Sequence, residues 1–298
     1  MTPPTQSQAS RTVLVTACSG LFFDQYLDLL DSLIQVGLRD QFDIGLIDLG
    51  MLPGQLAQLE AHQVKVVPAR WPIEPPPTQQ AIHLIAFAGK PFARDFFPGY
   101  DDYVWMDADM WVQTRTFWDA LMAGAQSHGG AVPVEVDVAY GSMAMAHWIW
   151  MVRHLSRSYG ISKAIQVARQ PVVNNGLFAL RADAPQWELW QQHFRAMVSK
   201  TQRTLAIDQL AMMAMQQIES PKLALIDAGN NWVCSLGTPD FDEASGQFVK
   251  PGRAHEAISV MHITTPSRAR KYSVQHSDGK RSSQYLHRPG GRFVAQLA

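Results

Sequence analysis

Short apolar runs alternate along the chain with stripes of helical spacing. Residues 12–17 (TVLVTA) form a continuous apolar run, the pattern of a strand covered on both faces. After a turn at Ser19-Gly20, Tyr26, Leu29, Leu30, Leu33 and Ile34 recur on one face and predict an amphipathic helix over 24–36. Residues 42–49 (FDIGLIDL) predict a second strand, 53–62 a second helix and 64–67 a third strand. Strand and helix in strict alternation predict an α/β fold: a Rossmann-like, mainly parallel sheet flanked by helices.

Beyond Pro72, Pro75, Pro76 and Pro77, which predict an extended loop, a helical stretch is expected over 82–92. Residues 103–113 (YVWMDADMWVQ) then read as a buried strand carrying two carboxylates, Asp107 and Asp109. A helix over 116–125 and a short strand over 131–138 (AVPVEVDV) follow, and the Trp- and Met-rich stretch 139–159 reads as core packing. Residues 174–180 predict another strand, 185–200 and 207–217 two helices, and 260–263 a last short strand. Residues 1–10, polar with Pro3 and Pro4, read as a disordered leader; the folded domain is expected over 11–272 and a basic C-terminal tail over 273–298.

Composition narrows the function without naming it. The chain has 298 residues, 47% hydrophobic and 17% charged, enough for a sizeable core. A net charge of −1 argues against nucleic acid as a partner. One basic region exists: from 267 to the end there are seven Lys and Arg residues against a single acid, Asp278. Its Ser, Gly and Pro content reads as mobile beyond Ser273, with peripheral contact to an acidic membrane face as one use. No apolar run reaches the ~18 residues of a membrane helix. Cys18 and Cys234 lack metal or redox spacing and fit a reducing, cytoplasmic setting. The sequence VTAC before residue 19 loosely resembles a lipoprotein cleavage box, but the apolar stretch before it is too short.

The chemistry centres on Asp107 and Asp109. Charges inside an apolar run cost too much unless paired or bound to a cation, and parallel sheets bind ligands at strand carboxyl ends. An oxygen-rich site with one imidazole suits Mg²⁺ or Mn²⁺, the imidazole favouring Mn²⁺, with a diphosphate as bridging ligand. Taken alone, an Asp-x-Asp pair is weak, and His262 in VMHI reads more readily as a satisfied core histidine.

In order and rough spacing, YVWMDADMWV, NNGLFALRAD, DQLAMMAM and VMHITTPSRARK resemble the GT-A fold nucleotide-sugar glycosyltransferases, most of all the retaining glycosyltransferase family 8, over 12–271. The resemblance implies a metal-dependent glycosyltransferase moving a sugar from a UDP-sugar to a hydroxyl of a saccharide, glycolipid or protein, with retention. It implies Asp107, Asp109 and His262 as ligands of Mn²⁺ or Mg²⁺. It places Asn174, Asn175 and Gly176 at the sugar and acceptor pocket, and Asp208 and Gln209 beside the reacting carbon. Of the basic pair Lys90 and Arg94 upstream, Arg94 is favoured for the donor. After His262 the family's Gly-containing turn and Lys-Pro-Trp are missing, so Arg268 stands in for the lysine that grips the diphosphate.

Two other classes compete. Phosphohydrolases with an aspartate nucleophile also place Asp-x-Asp after an apolar strand, but near the N-terminus and with Thr or Val where this chain has Trp111. A non-catalytic sugar- or nucleotide-binding protein of the same fold is the other. Asp137 can face an acceptor or water, and Trp148 and Trp150 read as core.

Overall fold

A computed structural model describes residues 11–293 apart from 75, 79, 142, 143, 203 and 204; the leader 1–10 lies outside the described residues. The chain opens with β1 (Thr12–Cys18), α1 (Phe23–Gln35), β2 (Asp43–Asp48), α2 (Pro53–Ala61) and β3 (Val64–Pro68). Short helical turns follow, including α3 (Ile85–Ala88) and α4 (Ala93–Phe96), and lead to β4 (Asp102–Met106) and β5 (Met110–Val112). Next come α5 (Thr116–His128), β6 (Gly130–Pro133), α6 (Ala144–Tyr159), α7 (Ile161–Ala168), β7 (Leu177–Arg181), α8 (Gln186–Thr201) and α9 (Ile207–Ile218). The last part holds β8 (Ala224–Ile226), β9 (Trp232–Val233), β10 (Asp240–Asp242), β11 (Gln247–Lys250), β12 (Arg253–Ala257), β13 (Val260–His262), β14 (Tyr272–Gln275) and β15 (Arg281–Gln284).

The main sheet has seven strands in the order β3-β2-β1-β4-β7-β6-β8. Strands β3, β2, β1 and β4 run parallel, and β7 is antiparallel to both neighbours. All seven residues of β1 are buried because it lies mid-sheet with a core on each face. One core gathers Val13, Val15, Trp105, Phe178, Trp187 and Trp190, the other Leu14, Tyr26, Leu30, Val104 and Phe117. Period-2 alternation within β1 and β4 thus feeds two apolar layers, and this is the mixed α/β, mainly parallel architecture expected. Gly45 in β2 is needed for close packing: a Cβ there would come within 2.7 Å of the Phe97 ring.

Several segments depart from the sequence pattern. The run 103–113 is two strands in different sheets, because β4 ends at Met106 and β5 joins β13 and β9 in a separate three-stranded sheet. Residues 82–96 form successive short turns and not one helix, Pro91 sitting where a helix would need its N–H. The strand expected over 131–138 stops at Pro133, after which Val134 makes a single bridge to Val173. Trp148 and Trp150 pack against the core, as do Met151, Val152 and Leu155.

Residues 272–293 are held in place. β14 and β15 form a hairpin, and Tyr272, Val274 and Leu286 join Trp111, Trp232, Phe248 and Met261 in a third apolar cluster. The Asp28 carboxylate on α1 accepts the backbone N–H groups of Arg292 and Phe293 at 2.6 and 3.1 Å. A few apolar anchors and one distant carboxylate suffice to order a stretch whose average composition is that of a loop. Both cysteines are free and buried, Cys18 as the last residue of β1. Among the described residues no helix is long and apolar enough to cross a membrane.

Candidate active site

The carboxyl edge of the parallel strands carries the polar cluster, and topology explains why. β4 ends at Met106, and because β7 runs the opposite way, the residues just before it arrive at that same edge. Asp107 donates its backbone N–H to Gly176 O at 2.8 Å, and Ile263 donates to Asp109 O, also at 2.8 Å. The Asp107-Ala108-Asp109 turn is therefore clamped on one side by the segment before β7 and on the other by the end of β13. Met110 pairs with His262 across the second sheet, which brings the imidazole beside Asp109.

Ligand atoms of Asp107, Asp109 and His262 all lie within 4.8 Å of one another. His262 Nε2 is 3.3 Å from Asp109 Oδ1, and its Nδ1 is 3.0 Å from Asn231 Oδ1. Burial alone would lower the His262 pKa; Asp109 and Asp107 overcome it and raise it. The site thus draws positive charge. Gly176 leaves room for it: a Cβ there would lie 2.8 Å from both Asp107 Oδ2 and His262 Cε1. Two carboxylates, one imidazole and a space no other residue type leaves open fit a hard or borderline divalent cation.

Lys90 closes the other side. Its ammonium, 3% exposed, sits 3.0 Å from both Asp107 oxygens and 3.6 Å from Asp208 Oδ2. Burial would lower its pKa, but Asp107 and Asp208 raise it, so the charge persists. Trp105 Nε1 donates to Asp107 Oδ1 at 2.8 Å and fixes that carboxylate. Asp208, in the first turn of α9 and 1% exposed, accepts from Asn175 Nδ2 at 2.9 Å. Burial raises its pKa against the pull of Lys90 and Asn175, and its Oδ1 has no hydrogen-bond partner. A buried carboxylate oxygen left bare is an expensive feature and an opening for a substrate group. Gln209 donates to Val173 O at 2.8 Å and lies 3.4 Å from Glu135 Oε2.

The residues singled out from sequence do not all converge. Asp107, Asp109, His262, Asn174, Asn175, Gly176, Asp208 and Gln209 stand in one connected group. Arg94 does not join it: the guanidinium donates to Ala182 O at 2.9 Å, pairs with Glu188 and lies over the Trp187 ring. Lys90 takes the place nearest the carboxylates. Arg268 donates to Leu21 O at 3.0 Å and lies between the rings of Phe22 and Phe293, at 4.2 and 5.0 Å. Burial lowers its pKa while Asp109 pulls the other way. The Asp137 side chain is turned away from water: it pairs with Arg253 and lies 3.5 Å from buried Lys250. Asn231 and Glu135 were missed. Asn231 carries no sequence signal that separates it from Asn230 beside it, and Glu135 is hidden between valines.

No protein family and no curated protein sequence matches the chain. Solved structures do. A galactosyltransferase, LgtC, in complex with donor and acceptor sugar analogues superposes with a TM-score of 0.51 at 9% identity, over 86% of this chain and 88% of LgtC. The chain has the GT-A glycosyltransferase fold. The apo bifunctional glycosyltransferase WbbM gives 0.51 at 12% identity, over 86% of this chain and 46% of WbbM. Mouse xyloside xylosyltransferase 1, also apo, gives 0.50 at 11% identity, over 86% of this chain and 98% of that enzyme. In this GT-A chain, as in open α/β sheets generally, the polar cluster occupies the strand carboxyl edge where ligands bind.

Proposed function

We propose that the protein is a metal-dependent glycosyltransferase that moves a sugar from a nucleoside diphosphate, with UDP the expected nucleotide, to an acceptor hydroxyl with retention of configuration. The observation that carries this reading is the convergence of Asp107, Asp109 and His262 within 4.8 Å of one another, with Lys90 and Asp208 joined to the same group. The GT-A fold, shared with a galactosyltransferase solved with donor and acceptor sugar analogues and with a xylosyltransferase, supports it further.

Asp107, Asp109 and His262 would hold Mn²⁺ or Mg²⁺, and such an ion supplies Lewis-acid neutralisation of a leaving diphosphate. The protein's own groups share the rest. Arg268, adjacent to the nucleotide edge of the sheet, adds a fixed positive charge for the phosphates. The sugar C1–O bond breaks with its electron pair going to the diphosphate, and the acceptor oxygen bonds to C1 and gives up its proton to the departing diphosphate oxygen. Positive charge grows on the ring meanwhile, and the bare Oδ1 of Asp208 and the Gln209 carbonyl are the groups that stabilise it. Lys90 lies against both Asp107 and Asp208, opposes the burial that raises the Asp208 pKa, and orients the two carboxylates. The acceptor is a hydroxyl of a saccharide, glycolipid or protein.

The test is hydrolysis and transfer with a panel of UDP-sugars, in the presence of Mn²⁺ and after chelation. Metal-dependent release of UDP supports the reading. Release of phosphate from simple phosphomonoesters in its place would favour an aspartate-nucleophile phosphohydrolase.

A further inference from the structure

We propose that Asn231 is a positioning residue that fixes the tautomer of His262, so that the Nε2 lone pair faces Asp109 and a divalent cation. The proposal rests on the metal-site reading above and adds to it a residue outside the ligand set. The argument begins at Glu135. An ionised carboxylate only accepts, so the Asn174 side-chain atom 2.6 Å from Glu135 Oε2 is its amide nitrogen. That turns Asn174 Oδ1 the other way, where it accepts the backbone N–H of Gly176 at 2.9 Å. A backbone N–H only donates, so the two contacts assign the amide independently and agree.

The same logic passes to Asn231. Its atom 3.0 Å from Asn174 Oδ1 must donate and is Nδ2, which also lies 3.4 Å from the Asn174 main-chain oxygen. Asn231 Oδ1 then faces His262 Nδ1 at 3.0 Å, and an acceptor there requires the proton on Nδ1. Neutral His262 is left with its lone pair on Nε2, 3.3 Å from Asp109 Oδ1. The other tautomer would give Asp109 a donor when no cation is bound, but it would set a lone pair against the Asn231 carbonyl and an N–H into the cation's place. No water relieves such a mismatch, since Asn231 is 0% exposed, His262 5% and Asn174 8%.

Asn231 is itself held. Its backbone N–H donates to Ala228 O, Ser259 donates to Gly229 O, and Asp227, paired with Lys250, accepts from the Gly229 N–H. The outcome is a directed chain, His262 to Asn231 to Asn174 to Glu135. It ends 3.4 Å from Gln209, so the orientation of the metal-binding imidazole is set from the sugar side of the site.

Two measurements on the full chain test this. First, ¹⁵N NMR of metal-free wild type at alkaline pH should find the His262 proton on Nδ1; a proton on Nε2 overturns the proposal and needs no variant to fold. Second, Mn²⁺ is titrated without nucleotide into wild type, Asn231→Leu and Asn231→Asp. The Leu variant, which cannot accept from Nδ1, should bind Mn²⁺ about 10- to 100-fold more weakly than wild type, and the Asp variant, which keeps an acceptor for Nδ1 but gives up the donor to Asn174 Oδ1, should bind more tightly than the Leu variant. Equal affinity in wild type and Asn231→Leu refutes the positioning role. If wild type binds no Mn²⁺ while His262 carries its proton on Nδ1, the cation reading fails and the metal half of this proposal with it, and the tautomer assignment stands.

Discussion

Asp107 and Asp109 are separated by one residue yet belong to different halves of the molecule, and each half compensates its carboxylate in its own way. Asp107 ends the main sheet, where a buried lysine and the Trp105 indole meet it. Asp109 begins the small sheet of β5, β13 and β9, where its neighbours are His262 and, further off, Arg268. The main-sheet half has a permanent counter-charge that stays when no ligand is present. The small-sheet half has an imidazole, whose Nε2 can hold either a proton or a cation. That difference teaches which half is the variable one: Lys90 supplies its counter-charge in advance, and on the proposed reading the Asp109–His262 side is where a divalent ion would add charge.

The comparison breaks most visibly on the small-sheet side. Asp109→Asn should reduce Mn²⁺-dependent transfer to background with an unchanged circular dichroism spectrum and melting temperature, because the shape is kept and only charge is removed. Undiminished activity would mean that the two halves do not share a cation. On the main-sheet side the largest effect should be on stability. Lys90→Met leaves Asp107 and fully buried Asp208 uncompensated, at a cost of about 3–5 kcal/mol in urea unfolding. A cost below ~1 kcal/mol would show that the lysine is not the counter-charge it is taken to be.

Legibility in the sequence followed the same division. The main sheet announces itself, since β1 is a continuous apolar run, β2 and β3 are short apolar-rich segments alternating with helical stretches, and the Asp-x-Asp at the end of β4 stands out against its apolar flanks. The small sheet does not. β5, β9 and β13 have two or three residues each, too short for periodicity, and their pairing depends on contacts far apart in the chain. His262 could be matched only by its place in the order of motifs, and Asn231 not at all. Nothing in the sequence separates Lys90 from Arg94 as the cation nearest the carboxylates; in the structure Lys90 meets Asp107 and Asp208, while Arg94 pairs with Glu188. Residues 273–293 read as mobile because average composition hides Val274 and Leu286, single apolar anchors whose partners lie elsewhere in the chain.

Smaller effects sharpen the contrast between the halves. Asp208→Asn should lower kcat about 100-fold with KM changed by no more than a few-fold, as expected for a group that acts on the transition state. An unchanged kcat would confine Asp208 to holding Lys90 and Asn175. Arg268→Ala should weaken UDP binding about tenfold in calorimetry, the loss of one charge-assisted contact, with Arg268→Lys between the two. No change in UDP affinity would leave Arg268 as packing between Phe22 and Phe293.

The central claim is that the junction of the two sheets is built for one divalent cation under a nucleoside diphosphate. A crystal grown or soaked with Mn²⁺ and UDP, measured for anomalous scattering from manganese, tests it most directly. The account expects a single strong peak at bonding distance from Asp107, Asp109 and His262 Nε2, with the diphosphate on its open side. A peak elsewhere, or UDP bound at this edge with no manganese between it and the two carboxylates, would contradict it.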